Sequence, residues 1–309
     1  ADTLRPSLAE TLAGLGRADP LPPPPGSGWE ETAMQALALT ADPVDFIRRL
    51  LPVDLVLAAR CALRWRAGGA GAAGAPDLAL VAQLRQALVD RTQDRSADLR
   101  ARIAAGLVLG ELGDPRMEPH RGPLGPYLVS ALQEVPAGPH RLGPGPSGSG
   151  EVDLPAFGLA RLEVTNAEWA CFMTGGGYDD ARWWDTPAAT AWREGLTTSD
   201  DTRAHARTAT ARFRSDPAEL DRLLAQGHMP ADWHAIFRRR IAMDEASLEE
   251  HLKAMYPGGP LRAPRFWEDP AFNNPAQPVV GICWYEARAY TLWLAAQTGR
   301  PYRLPTELE

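Results

Sequence analysis

Three short runs of apolar residues at helical spacing fall between Trp29 and Arg116, and they set the first limit on the fold. Residues 53–63 place apolar side chains at i, i+3, i+4 and i+7, and Gly68-Gly69-Ala70-Gly71 breaks the pattern. Residues 78–88 keep the same period. Residues 97–112 follow Ser96, a residue suited to an N-cap, and stop at Gly113-Asp114-Pro115. Amphipathic helices this short cannot bury their apolar faces alone, so they must stack in a bundle or solenoid. Ahead of them, residues 1–28 end in the run Pro22-Pro23-Pro24-Pro25. Prolines lack backbone donors and favour an extended path, so this stretch reads as a linker or loosely packed arm.

Beyond the helical stretch (29–131) the pattern changes. Residues 132–143 read as a strand, a turn and another strand, and residues 157–164 as a further strand. Thr165 caps a helix over 166–174, which Gly175-Gly176-Gly177 terminates. A polar, helical stretch follows, with its clearest helix at 245–255. It interrupts two aromatic, proline-rich segments, so it reads as an insertion of about 186–262 within a domain spanning 132–309. The chain closes with an expected strand at 278–282 and a helix at 284–298 that Gly299 stops.

Composition narrows the function classes. No apolar run approaches the roughly 18–20 residues of a membrane helix. The net charge of −7 argues against a nucleic-acid partner, which needs a cationic footprint. Cys61, Cys171 and Cys283 are odd in number and far apart, which fits a reducing cytoplasm and no disulfide framework. The sequence has no initiator Met and no signal segment, and it stops at Leu304-Pro305-Thr306-Glu307-Leu308-Glu309, so a fragment is expected.

Tests for chemistry return little. No Gly-x-Ser-x-Gly, His-Glu-x-x-His or Walker motif occurs. The Gly143–Gly150 loop looks like a phosphate cradle, but its prolines remove N–H donors and no helix opens behind it. His228 and His234 are six residues apart with Pro230 between them, so they do not share a helical face as metal ligands would. Cys171 and Cys283 sit among aromatic and apolar neighbours and read as inert thiols. Arg238-Arg239-Arg240 reads as a solvated face. Tyr178, Trp183, Trp184, Phe266, Trp267 and Phe272 bracket the insertion. They read first as a core rich in large rings and second as the wall of a ligand surface.

Several of these segments resemble a known family. Glu163-Val164-Thr165-Asn166-Ala167-Glu168-Trp169, Gly175–Trp184, Phe272–Ala287 and Tyr302-Arg303-Leu304-Pro305-Thr306-Glu307 look like the signature segments of formylglycine-generating-enzyme (sulfatase-modifying factor) domains. The resemblance implies an α+β fold, an irregular variant of the C-type lectin fold, incomplete here and preceded by an α-helical segment. That segment resembles the HEAT-like stems of some bacterial proteins, including NACHT-associated proteins and the variable proteins of diversity-generating retroelements. In the catalytic family the copper-binding cysteine pair lies beyond the last segment, and neither Cys171 nor Cys283 matches it. The spaced histidines that hold iron in the related ergothioneine-type enzymes are absent from residues 29–116.

No catalytic residue, metal or cofactor is therefore assigned to this chain. The expected function is a non-catalytic recognition or sensing module of a defence or variable-protein system, binding a protein or other ligand. Trp183, Trp184, Asn273 and Asn274 are its candidate wall residues. The alternative is a copper oxidase of the formylglycine-generating kind whose catalytic half lies beyond Glu309. A structural scaffold is a third possibility. The remaining half of the domain, from the same polypeptide or a second chain, is the expected partner; nucleic acid and membrane are not.

Overall fold

The computed structural model describes residues 6–15, 21–68, 77–143 and 150–309. The loop considered above as a phosphate cradle lies almost wholly outside them. The chain divides into two compact units. The first comprises Ala1–Gly175, Pro264–Ile282 and Leu294–Glu309, and the second comprises Gly176–Ala263 and Cys283–Trp293. Among the described residues no helix is long and apolar enough to cross a membrane.

In the first unit, α2 (Glu30–Leu39), α3 (Pro43–Leu50), α4 (Leu55–Gly68), α5 (Leu78–Gln93) and α6 (Leu99–Leu112) follow the expected helical pattern, and α1 (Leu8–Ala13) precedes them in the stretch read as an arm. The central helix α4 packs on α2, α3, α5 and α6. Ile47, Leu57, Leu84, Leu88 and Leu109 form the buried centre of this cluster. The α6 cap is Asp98 rather than Ser96. Its carboxylate accepts from the Arg100 backbone N–H at 2.8 Å and also pairs with the buried Arg100 guanidinium. A charged acceptor makes the stronger cap, and Ser96 instead donates to Asp94 at 2.6 Å. Arg100 also reaches Thr11 Oγ1 and the Pro6 carbonyl. The expected loose arm therefore contains a capped helix tied to α6.

Three antiparallel ribbons follow. β1 (Met117–Gly122) pairs with β2 (Gly125–Ser130), β3 (Leu132–Val135) with β6 (Phe157–Ala160), and β4 (Gly138–Leu142) with β5 (Gly150–Leu154). Three expectations change here. The β1–β2 hairpin lies inside the stretch read as helical, because Met-Glu-Pro-His-Arg-Gly shows no apolar alternation. Its register places His120 opposite Tyr127, with the rings stacked at 5.2 Å. The two strands read at 132–143 exist but do not pair with each other, so the turn between them hands the chain from one ribbon to the next. The expected strand at 278–282 is reduced to a single bridge between Thr165 and Pro278. Pro278 has no N–H with which to extend a ladder. Helix α7 (Asn166–Thr174), predicted with its Thr165 cap, packs on β2.

The second unit holds a 3-10 turn (Ala181–Trp183), α8 (Pro187–Arg193), α9 (Asp200–Ser215), α10 (Pro217–Ala225), α11 (Ala231–Ile241) and α12 (Glu245–Met255). It also holds the start of α13 (Trp284–Thr298), whose residues from Leu294 onward belong to the first unit. Helix α9 packs on α10, α11 and α12. Two small cores form around Phe213, Leu220 and Phe237, and around Ala206, Leu248 and Leu252. The helical run enters and leaves through one neck. Gly259 N–H donates to the Gly195 carbonyl, and Thr198 Oγ1 to the Gly259 carbonyl. Gly195 has φ +82°, and a Cβ there would meet the Gly259 Cα at 2.6 Å, so the neck requires glycine. The basic run of α11 departs from expectation at one position: Arg240 is 1% exposed.

Candidate functional site

In the first unit the Thr165-Asn166 segment and the 272–279 segment are sewn together by their own sequence. Thr165 and Glu168 form a capping box, with the Glu168 carboxylate accepting from Thr165 N–H and Oγ1 at 2.7 and 2.8 Å. Asn166 Nδ2 then donates to the carbonyls of Phe272 and Asn274 at 2.7 and 2.9 Å. The backbone N–H groups of Asn166 and Ala167 donate to Gln277 and Pro275. Gln277 braces the loop from within, accepting from Asn274 N–H and donating to the Ala271 carbonyl. Asn274 Nδ2 extends the network to the Leu107 carbonyl of α6 at 3.0 Å. Gly110 of α6 lies so close that an added Cβ would overlap Asn274 Oδ1 and come within 2.7 Å of Ala276 N.

Beside this frame is a mainly apolar cleft of about 320 Å³, lined by residues including Gly110, Met117, Leu128, Thr165, Ala167 and Ala276. Two of its charged members are committed elsewhere. Arg85 Nε donates to the Leu112 carbonyl, and Asp114 pairs with Arg116 at 2.6 Å. The cleft can hold an apolar group, and its third charged member, Glu118, is exposed and faces His120 at 3.5 Å.

In the second unit, Tyr178 OH donates to Glu286 Oε1 at 2.6 Å, and the Cys283 N–H donates to Oε2 at 2.7 Å. Burial pushes the carboxyls of both Glu168 and Glu286 above the ordinary range, against the hydrogen bonds that favour the charged form. Both glutamates stand three residues after a cap position, and their work is to hold helix starts. The Cys283 thiol is pushed up to about 11 by burial, and Cys171 upward for the same reason. Neither is an activated nucleophile at neutral pH, as their surroundings in the sequence predict.

Copper and iron, the metals the family resemblance raises, do not fit the described residues. No three His, Cys, Asp or Glu side chains among them converge. His234 is paired with Asp221 at 2.8 Å, and His140 and His205 meet backbone carbonyls. His120 stacks on Tyr127, and His228 is exposed.

The four candidate wall residues fall in different units. Trp183 and Trp184 belong to the second and are 7% and 2% exposed. Trp184 Nε1 donates to the Gly177 carbonyl, and its ring stacks on Trp192 at 5.5 Å. Both indoles therefore pack into that unit, where their large apolar area stabilises most. In the first unit Asn274 is engaged as described, and Asn273 is exposed. Sequence reasoning passed over Asn166, Gln277 and the Tyr178–Glu286 pair. The Thr-x-x-Glu spacing was a signal for Glu168, but no local pattern ties Asn166 to carbonyls more than 100 residues away.

Residues 129–309 match the sulfatase-modifying factor enzyme 1-like domain family. The chain is similar to hercynine oxygenase of Mycobacterium tuberculosis, 29% identical over 165 residues, which is 51% of this chain and 23% of that protein. It is also similar to hercynine oxygenase of Mycolicibacterium smegmatis, 43% identical over 74 residues, 23% of this chain and 16% of that protein. A third relative of the same name, from Mycolicibacterium thermoresistibile, is 58% identical over 33 residues, 11% of this chain and 7% of that protein. The chain thus spans less than a quarter of the length of these relatives. No solved structure matches it. Relatives named as oxygenases overturn the expectation of a non-catalytic recognition module in a defence or variable-protein system.

Proposed function

The chain belongs to the sulfatase-modifying factor enzyme 1-like family, and from that premise we propose that it forms part of an oxidase-type enzyme, an oxygenase acting on hercynine or a closely related compound. The observation that carries this reading is the family match over residues 129–309 together with relatives named hercynine oxygenase. The alternative raised from the sequence, an oxidase of the formylglycine-generating kind, stands in the same enzymatic class and differs in substrate.

In this reading the described residues of the chain build the frame and not the redox centre. Asn166, Asn274 and Gln277 fix the 272–279 loop, and Asn273, exposed on that loop, is the candidate contact for substrate. Asn274, Trp183 and Trp184 act by positioning their surroundings. The groups that hold a metal come from outside the described residues, supplied by the remainder of the domain or by a second chain. The domain carries a C-type-lectin-like fold over about 132–309 with an insertion at about 186–262, and a HEAT-like segment precedes it at 29–131. A reducing cytoplasm suits its three free thiols, and neither nucleic acid nor a membrane is a partner.

The test is dioxygen uptake by the native, metal-supplemented protein, with hercynine in one arm and a cysteine-containing peptide in the other, and free cysteine present or absent in the first. Hercynine-dependent uptake supports the reading. Uptake with the peptide alone moves the assignment to formylglycine generation. No uptake in either arm from a folded, metal-loaded protein overturns both.

A further inference from the structure

Arg240 is a buried cation without an anion. It lies in the last turn of α11 at 1% exposure, and among the described residues no carboxylate is within ion-pair distance of it. Its Nη2 donates to Tyr256 OH at 3.0 Å and to the thioether sulfur of Met255 at 2.8 Å. Its Nε–H is buried and has no hydrogen-bond partner among the described residues. The Phe237 and Tyr256 rings lie 5.3 and 5.6 Å from the guanidinium carbon. Ring faces and the α11 C-terminus offset part of the charge, but neither supplies an acceptor for Nε–H.

Other arginines of the same unit show what this edge of a guanidinium ordinarily holds. Arg207 grips Glu249 through Nε and Nη2, Arg212 grips Glu219 through the same two atoms, and Arg288 grips Asp185 at 2.9 and 2.7 Å. That fork matches the two oxygens of a carboxylate or phosphate. In Arg240 one prong is empty and the other rests partly on a thioether, the weakest acceptor available. On α12, one turn before the Met255 that Arg240 contacts, His251 Nε2 is also buried without a hydrogen-bond partner among the described residues. Burial, with the Arg240 and Arg239 cations, holds its imidazole below the ordinary value. Nearby acids are engaged elsewhere: Glu245 with Arg214, Glu249 with Arg207, and Asp200 with Arg203. Glu250 and Lys253, the other charged neighbours of His251 on α12, are exposed.

We propose that the Nε/Nη2 fork of Arg240, with His251 beside it, is a binding site for a small oxyanion, carboxylate or phosphate, in the helical insertion. Met255 is the gate. It is 39% exposed, unbranched and adaptable, so turning its side chain outward frees Nη2 and opens the fork to solvent. The incoming anion replaces the thioether and satisfies Nε–H. By adding negative charge it also favours the protonated imidazole of His251, which then donates through Nε2.

The experiment titrates sodium acetate and sodium phosphate separately into the full chain at constant ionic strength, balanced with chloride. It follows the melting temperature and the His251 ring resonances. The expected result is saturable stabilisation by at least one anion, with the His251 pKa moving upward in step. Preference for phosphate assigns a phosphate-bearing ligand, and preference for acetate a carboxylate. Arg240→Met replaces the cation with an apolar side chain of similar length, a change that buried sites tolerate, and should weaken binding at least tenfold. Met255→Ala leaves Arg240 in place and should tighten binding severalfold. The proposal is overturned if neither anion differs from chloride, if Arg240→Met binds as the parent does, or if Met255→Ala leaves affinity unchanged.

Discussion

At the scale of single residues, the two buried glutamates carry the clearest consequences. Glu286 accepts from Tyr178 OH and from the Cys283 N–H, so Glu286→Ala removes the acceptor of both bonds and should cost about 2–4 kcal/mol. Glu286→Gln keeps an oxygen for the Cys283 N–H and offers an amide to the tyrosine oxygen, so it should melt close to the parent at neutral pH. The pH dependence separates the two forms. Burial raises the folded-state pKa of Glu286 above the ordinary 4.5, so the folded state binds that proton more readily than the unfolded chain. Its contribution is complete below about 4.5 and is lost as pH rises through the raised value. Chemical denaturation across pH 4–8 should therefore show Glu286→Gln gaining on the parent as pH rises; a constant difference contradicts this account. Cys283 gives a second residue-scale outcome. With its thiol near 11 instead of 9.0, its thiolate fraction at pH 8 falls by one to two orders of magnitude. Labelling by a thiol reagent should be correspondingly slow in the folded chain and fast on unfolding.

At the scale of elements, the sequence was most legible where a helix has both an apolar period and a polar cap. Helices α7 and α13 follow the residues that mark them, because Thr165 and Gly299 act locally. Strands were less legible. Strand β1 exposes four of its six side chains, so no alternation announces it, whereas β3 and β4 were read as strands but their partners are set by the turns between ribbons. The 272–279 loop was recognisable as a motif but not as a hydrogen-bonded clamp, because its partners at Asn166 and Leu107 are remote in sequence. Gly110 tests that clamp. Gly110→Ala improves helix propensity yet drives a methyl into Asn274 and the Ala276 backbone, so it should destabilise by about 1–3 kcal/mol. Denaturant midpoints of Gly110→Ala and of Gly106→Ala, whose Cβ meets only the Thr92 methyl at 3.7 Å, should differ in sign.

At the scale of the whole molecule, the helical packing of the first unit and the family of its C-terminal part could be read from the sequence, whereas the activity was misread. The reason is physical. The segments that carry the resemblance, around Thr165, Asn274 and Glu286, bury carboxylates and bridge loops; they do not converge on a metal or a nucleophile. A search for chemistry among those residues therefore finds none and points to a binding module, while the relatives are oxygenases by name. Frame residues acting through geometry should also show themselves kinetically. Asn166→Ala removes two bonds to the 272–279 loop and should lower turnover and stability together. Asn273→Ala, on the exposed part of the loop, should raise KM for hercynine with little change in melting temperature. The most direct test of the account is a mass spectrum of the product formed when the native, metal-supplemented protein is incubated with hercynine and cysteine under isotopically labelled dioxygen. The account predicts a hercynine-derived product carrying the oxygen label. Hercynine recovered unlabelled and unchanged from a folded, metal-loaded protein would contradict it.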